Sequence, residues 1–277
     1  MNKTIRNIII VAFFAIGGGW LGIWLNNVTG NTQPTMQSLG ALVWLISPAL
    51  VGLLLRAFGG DGWKDSGLGL NLPSGWIWYL VAILIYPLAS FLTFMLALSI
   101  KAISAESFSE SAYINAIIFI LGASLMKNIF EEFVWRGYLT PRLDAAKIHP
   151  LLNHAIVGVI WWVWHLPYYY YFLDRTQLAT YLGNSSLTIF LLIALIDMFP
   201  TALLFGELRL LSKSVWTGFI LHEIINAVSM PLLLNAFIKL NGTLGTIFSP
   251  TNDGIFTSLL LGAAGWMLYQ YRMRKST

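Results

Sequence analysis

The sequence predicts an all-α, polytopic membrane protein with eight transmembrane helices. Of its 277 residues, 57% are hydrophobic and only 10% are charged, whereas an ordinary soluble domain carries about 25% charged residues. The mean hydropathy is +0.71, so the chain has too little polar surface to cover a water-soluble globule of 30.9 kDa. Disordered chains combine low hydrophobicity with high charge, so the composition excludes that class too.

Eight apolar stretches are long enough to cross a bilayer, which takes about 20 apolar residues of helix. They run continuously instead of alternating every second residue, which excludes a transmembrane barrel. The first lacks an A-x-A type of cleavage site, so we predict a retained helix and not a signal peptide. The predicted spans are residues 5–25, 37–55, 76–100, 113–135, 153–173, 185–206, 214–238 and 254–271.

The basic residues predict that both termini lie in the cytoplasm. With the N-terminus inside, twelve Lys and Arg residues fall in cytoplasmic segments and three, Lys101, Arg175 and Lys239, in outer segments. Cytoplasmic loops of membrane proteins carry this excess of positive charge. The sequence therefore predicts a multi-pass integral protein, of the cell membrane if the source is prokaryotic. The twelve are Lys3, Arg6, Arg56, Lys64, Arg136, Arg142, Lys147, Arg209, Lys213, Arg272, Arg274 and Lys275.

The chain is predicted to form one membrane domain over residues 1–277, with its functional part in the C-terminal half. The first three spans are almost free of ionisable residues, whereas polar residues occur inside spans from residue 113 onward. There is no cysteine, so disulfides and thiol chemistry are excluded.

The ionisable residues inside spans are the candidates for function, because each costs roughly 2.5–3.5 kcal/mol at a helix centre on insertion scales. Counted at about 1.5 Å per residue, Glu131, His165 and His222 fall in one slab roughly 10–18 Å from the cytoplasmic face. Three helices are thus expected to bring a carboxylate and two imidazoles together. The candidate cluster consists of Lys127, Glu131, Glu132, Arg136, His165, Asp197, His222, Glu223 and Asn226.

A buried carboxylate with two imidazoles and an amide suits hydrolysis. The carboxylate of Glu131 can take a proton from water, while imidazole and amide N–H groups can stabilise an oxyanion. A zinc site is the alternative, because Glu131, His165 and His222 would supply two histidines and one carboxylate. The H-E-x-x-H zinc motif is incomplete, since Asn226 stands at its second histidine.

Three short motifs lie in order in three apolar spans. Together they resemble the motifs of the CPBP family, the CAAX proteases and bacteriocin-processing enzymes also called the Abi family. The resemblance covers a core of about residues 113–240, and Trp161 stands where the family usually has Phe. The motifs are Glu131-Glu132-x-x-x-Arg136, Trp161-x-x-x-His165 and His222-x-x-x-Asn226.

The resemblance implies an eight-helix intramembrane endopeptidase with a four-helix catalytic core, no metal and a cavity open to the cytoplasm. Glu131 would be the general base. His165 would orient the water or the substrate carbonyl, and His222 and Asn226 would form the oxyanion site.

The other motif residues, Glu132, Arg136 and Trp161, would support the site. The motifs assign no role to the remaining members of the candidate cluster, which are Lys127, Asp197 and Glu223.

The expected partners are the lipid bilayer and a peptide or protein substrate, either prenylated at a CAAX end or carrying a leader; no nucleic acid is expected. Two other functions remain open. One is a catalytically silent scaffold or bacteriocin-immunity protein that acts by binding. The other is a proton-coupled transporter, although the sequence has no matching halves of the kind that inverted repeats produce.

Overall fold

The computed structural model describes residues 2–31, 35–106, 108–182 and 186–276. Helices account for nearly all of the regular structure in this part of the chain, joined by one pair of two-residue strands. The helices are α1 (Lys3–Val28), α2 (Leu39–Ala57), α3 (Leu72–Ser99), α4 (Glu110–Val134), α5 (Thr140–Ala145), α6 (Pro150–Pro167), α7 (Arg175–Leu182), α8 (Leu187–Ser212), α9 (Val215–Leu234), α10 (Gly242–Ile247) and α11 (Ile255–Ser276). The strands are β1 (Ile103–Ser104) and β2 (Lys239–Leu240).

The prediction of an all-α polytopic membrane protein is confirmed, but the count of eight spans is not. Within the described residues, six helices are long and apolar enough to cross a membrane: α1, α2, α3, α4 with its continuation to Ala145, α8 and α9. Polar residues in α6 and the polar end of α11 lower the hydropathy of these two predicted spans. The predicted start of the sixth span, residue 185, lies outside the described residues, and α8 begins at Leu187.

The packing of the helices brings the motif-bearing segments together. Helix α4 packs along α9, and α6 packs along α8, while α1 pairs with α2. The α1–α2 pair is close because a Cβ atom at Gly22 would overlap the backbone of Gly40. Small residues let helix backbones approach closely within membranes.

A network of ion pairs marks one end of the bundle, which we call the basic end. Arg142 donates to Asp61 at 2.8 Å and to Asp65 at 3.1 Å, and Arg56 donates to Asp65 at 2.7 Å. Burial alone would raise the pKa of Asp65, but the hydrogen bonds and charges of Arg56 and Arg142 hold that pKa below its usual value. Thr4 near the N-terminus accepts from Arg142 at 3.3 Å, so the first helix starts at this end.

A second buried ion cluster lies toward the same end. The carboxylate of Glu207 accepts from Arg272 Nε at 2.6 Å and Nη2 at 2.8 Å. The same carboxylate lies 2.8 Å from His154 Nε2. The three residues join the start of α6, the last turns of α8 and the last turns of α11.

The opposite end, which we call the strand end, carries the small sheet. Strands β1 and β2 pair antiparallel, with Ile103 opposite Leu240. They tie the chain between α3 and α4 to the chain after α9. Helices α7 and α10 lie in the connections at this end, and the apolar pattern of the sequence did not predict either of them.

Helices α4 and α6 each end in a single π-helical turn, Trp135–Leu139 and Tyr168–Phe172. In the first turn the carbonyl of Arg136 lies five residues before Pro141, which has no N–H to donate. Arg209 Nε supplies that hydrogen bond at 2.8 Å. Buried backbone carbonyls need such partners, so an arginine from the basic end completes the turn.

Candidate active site

Glu131 is held at the centre of the bundle by contacts to both of its carboxylate oxygens. It is only 2% exposed. Its Oε1 accepts from Lys127 Nζ at 2.5 Å, and its Oε2 accepts from the indole N–H of Trp161 at 2.8 Å and from that of Trp135 at 3.4 Å. Lys127 lies one turn earlier on α4 and its side chain is 30% exposed, so this cation has room to move.

Glu132 forms a buried ion pair with Arg136 and also contacts His222 of the third motif. Its Oε1 accepts from Arg136 Nη1 at 3.1 Å and from His222 Nδ1 at 2.8 Å. The Arg136 guanidinium is completely buried and lies 4.3 Å from the ring centre of Trp161 and 4.1 Å from that of Phe205. These cation–π contacts cover Nε and Nη2, which have no hydrogen-bond partner among the described residues.

Hydrogen-bond partners define which ring nitrogen of each histidine carries a proton. His165 Nδ1 lies 2.9 Å from the backbone carbonyl of Trp161, and a carbonyl oxygen only accepts, so Nδ1 carries the hydrogen. His222 Nδ1 faces the Glu132 carboxylate and is assigned as a donor in the same way. The Nε2 atom of a neutral ring is then an acceptor, and it donates only when the ring is charged.

A chain of polar contacts positions Asn226. Its amide nitrogen donates to Asn128 Oδ1 at 3.0 Å, and Asn128 Nδ2 donates to Glu223 Oε1 at 2.9 Å. Ser124 Oγ donates to the other oxygen of Glu223 at 2.8 Å. Glu223 therefore anchors the partner of Asn226. Sequence reasoning missed Asn128 and Ser124, although Ser124, Asn128 and Glu131 follow one face of α4 at helical spacing.

A cavity of about 140 Å³ lies between α4, α6, α8 and α9. Lys127, Trp161, His165, His222 and Asn226 line it, so residues of the second and third motifs converge there beside Lys127 of α4. One water needs about 10–15 Å³ of such space, so several waters fit.

Three of the predicted site residues do not line this cavity. Glu131 is bonded to Lys127 and Trp161, which do line it. Glu132 and Arg136 lie beneath His222 and Trp161, consistent with a supporting place.

Asp197 also lines the cavity, and its buried Oδ2 has no hydrogen-bond partner in the part of the chain that the structure describes. Its backbone carbonyl accepts from Thr201 Oγ1 at 3.0 Å.

The residues of the alternative zinc site do not fit a metal ion. Among the residues that the structure describes, no group of three His, Asp or Glu side chains is placed to hold one ion. The Lys127 ammonium occupies Glu131 Oε1, and His222 Nδ1 is bound to Glu132. A cation at Glu131 would have to compete with that ammonium.

The segment that carries the three motifs matches a known protein family. Residues 113–228 match the model of the family described as Rce1-like, type II CAAX prenyl endopeptidase Rce1-like. The matched segment starts within α4 and ends within α9, so it contains all three motifs. No curated protein matches the chain. The family resemblance found in the sequence is thereby confirmed.

Proposed function

We propose that this chain is an intramembrane endopeptidase in which Glu131 activates water. Its residues 113–228 match the model of the Rce1-like family of type II CAAX prenyl endopeptidases, which supports this proposal. One observation carries the proposal: the buried carboxylate of Glu131 adjoins a cavity whose wall includes His165, His222 and Asn226. A bound segment of a membrane-associated protein would present its peptide carbonyl there.

The first half of the proposed reaction needs a water between Glu131 and His165. The unprotonated Nε2 of His165 accepts one hydrogen of the water and orients it. Movement of the Lys127 ammonium away from Glu131 frees Oε1 to take the other proton. The water oxygen then bonds to the substrate carbonyl carbon, and the carbonyl oxygen becomes an oxyanion.

The second half needs hydrogen-bond donors for the oxyanion and a proton for the leaving group. Asn226 donates from its remaining amide hydrogen, and His222 donates from Nε2 in its charged form, which Glu132 stabilises. The carbon–nitrogen bond then breaks, and the proton held by Glu131 passes to the leaving amine. The products are a carboxylate and an amine.

The His222→Ala variant tests the oxyanion role. Removing one such donor typically costs about 10²–10³-fold in kcat, so we expect a loss of that size in a single-turnover cleavage assay. His222→Gln keeps an N–H group and should recover part of the rate. Equal rates for the two variants would argue against donation by residue 222.

The function itself is tested with purified protein in liposomes. The assay offers a farnesylated CAAX peptide and the same peptide without its lipid, and mass spectrometry identifies the products. We expect cleavage by the wild type that withstands a metal chelator, and cleavage about 10²–10⁴-fold slower by Glu131→Gln. A chelator-sensitive activity restored by zinc would refute the metal-free mechanism. If Glu131→Gln formed as much product as the wild type, Glu131 would not be the general base.

A further inference from the structure

The cavity lies toward the strand end of the bundle. Its wall includes Trp44 near the start of α2, Met230 near the end of α9, and Tyr181 of α7. Asn252 and Asp253, in the connection between α10 and α11, complete its rim. All five residues belong to segments that end or turn at the strand end.

The basic end does not contribute to this cavity. Of the described residues that line it, none comes from the basic-end connections 58–71, 140–149 or 213–214. Buried side chains close the bundle beneath His222, since the Arg136 guanidinium lies against Phe205 there. Access from the basic end would require this ion pair and its aromatic cover to separate.

The distribution of charge identifies the two ends. The basic end gathers Arg56, Arg142 and Arg209 around Asp65, and cytoplasmic loops carry the positive excess in membrane proteins. The strand end carries only Lys101, Arg175 and Lys239 of the basic residues outside the spans. Under this rule the strand end faces away from the cytoplasm.

Two expectations from the sequence therefore conflict. The basic residues predict cytoplasmic termini, and the family resemblance implies a cavity open to the cytoplasm. Helix α1 starts at the basic end, whereas the cavity rim lies at the opposite end. Both expectations cannot hold for this chain.

We propose that the cavity is entered from the non-cytoplasmic side, and that the substrate is a peptide segment of a translocated, membrane-anchored protein. A carboxyl-terminal lipidated segment in the cytoplasm would reach only the closed basic end. The choice of substrate rests on the proposed protease function, whereas the side of entry does not.

The absence of cysteine from the natural chain allows a direct test with single-cysteine variants of the full protein. Gln177 lies on α7 at the strand end, and Ala145 is the last residue of α5 at the basic end. Both are exposed, so Gln177→Cys and Ala145→Cys report on the two ends. Met230→Cys reports from the cavity wall. Intact cells are treated with a small membrane-impermeant thiosulfonate, and the remaining thiols are then counted by mass after purification.

We expect Gln177→Cys and Met230→Cys to react in intact cells, and Ala145→Cys to react only after permeabilisation. Labelling of Ala145→Cys in intact cells, or protection of Met230→Cys until permeabilisation, would overturn the proposed side of entry. Neither result depends on catalysis, so the labelling is decisive even if no cleavage is found.

The substrate part has its own readout. A quenched fluorescent peptide is added to right-side-out vesicles and to inside-out vesicles, with Glu131→Gln protein as the blank. Hydrolysis confined to right-side-out vesicles supports a translocated substrate. Hydrolysis confined to inside-out vesicles contradicts it. If the cysteine variants label as expected but neither preparation hydrolyses the peptide, the proposed side of entry stands and the proposed protease function is refuted.

Discussion

Glu131→Gln is expected to lower kcat by about 10²–10⁴-fold, the contribution typical of a positioned general base. The glutamine carbonyl can still accept the indole hydrogen of Trp161, which bonds Glu131 at 2.8 Å. The side-chain volume is unchanged, so the packing around position 131 should be preserved. What is lost is the ability to take a proton from water. Initial rates of peptide cleavage in proteoliposomes measure the effect.

The matched control is Glu207→Gln, because Glu207 is also a fully buried glutamate. It is bonded to Arg272 and His154 away from the cavity. This control should lose stability while its kcat stays close to that of the wild type. If both variants lose activity to the same extent, burial of charge and not base catalysis accounts for the effect at Glu131.

Arg136→Met is expected to lower the free energy of unfolding by about 3–5 kcal/mol, because breaking one side of a buried ion pair leaves the other charge uncompensated. Arg136 has no exposed surface, and its partner Glu132 is 1% exposed. Methionine keeps much of the contact with Trp161 and Phe205, so the loss reports mainly on charge. Thermal unfolding in a fixed detergent, compared with the wild type, gives the change.

The double variant Glu132→Gln/Arg136→Met separates charge from packing. With both charges gone, no buried ion remains unpaired, and glutamine still offers an oxygen to His222 Nδ1, which lies 2.8 Å from Glu132. Replacing both members of a buried pair is often close to neutral, so we expect most of the stability to return. A double variant as unstable as Arg136→Met would assign the loss to the missing guanidinium contacts instead.

The sequence predicts the helices and the pairing of motifs well because both depend on local spacing. Glu132 and Arg136 are four residues apart, and their side chains meet on one face. Lys127 and Glu131 have the same spacing, and they also form an ion pair. The proposed catalytic roles of these residues remain predictions.

Features that depend on the ends of helices are not predictable in this way. The expected depth of Glu131 depends on where its helix ends, and the helical path continues beyond the predicted span end at residue 135 to Ala145. The direction in which the cavity opens depends on α7 and on the chain around Asp253, neither of which has a strong apolar period. Asn128 was not predicted because it is neither an ionisable residue nor part of a motif.

The two π-helical turns, Trp135–Leu139 and Tyr168–Phe172, set the angular phase of the chain. Each accommodates one residue more than an α-helical turn would, as a single-residue insertion does. Deleting one residue from the first turn would leave a continuous helix but rotate Glu131 by about 100° relative to α5. Glu131 would then no longer meet Trp161 while α5 kept its contacts. The direction in which the Glu131 carboxylate points can therefore be changed by inserting or deleting one residue in the turn, without substituting any residue of the motif.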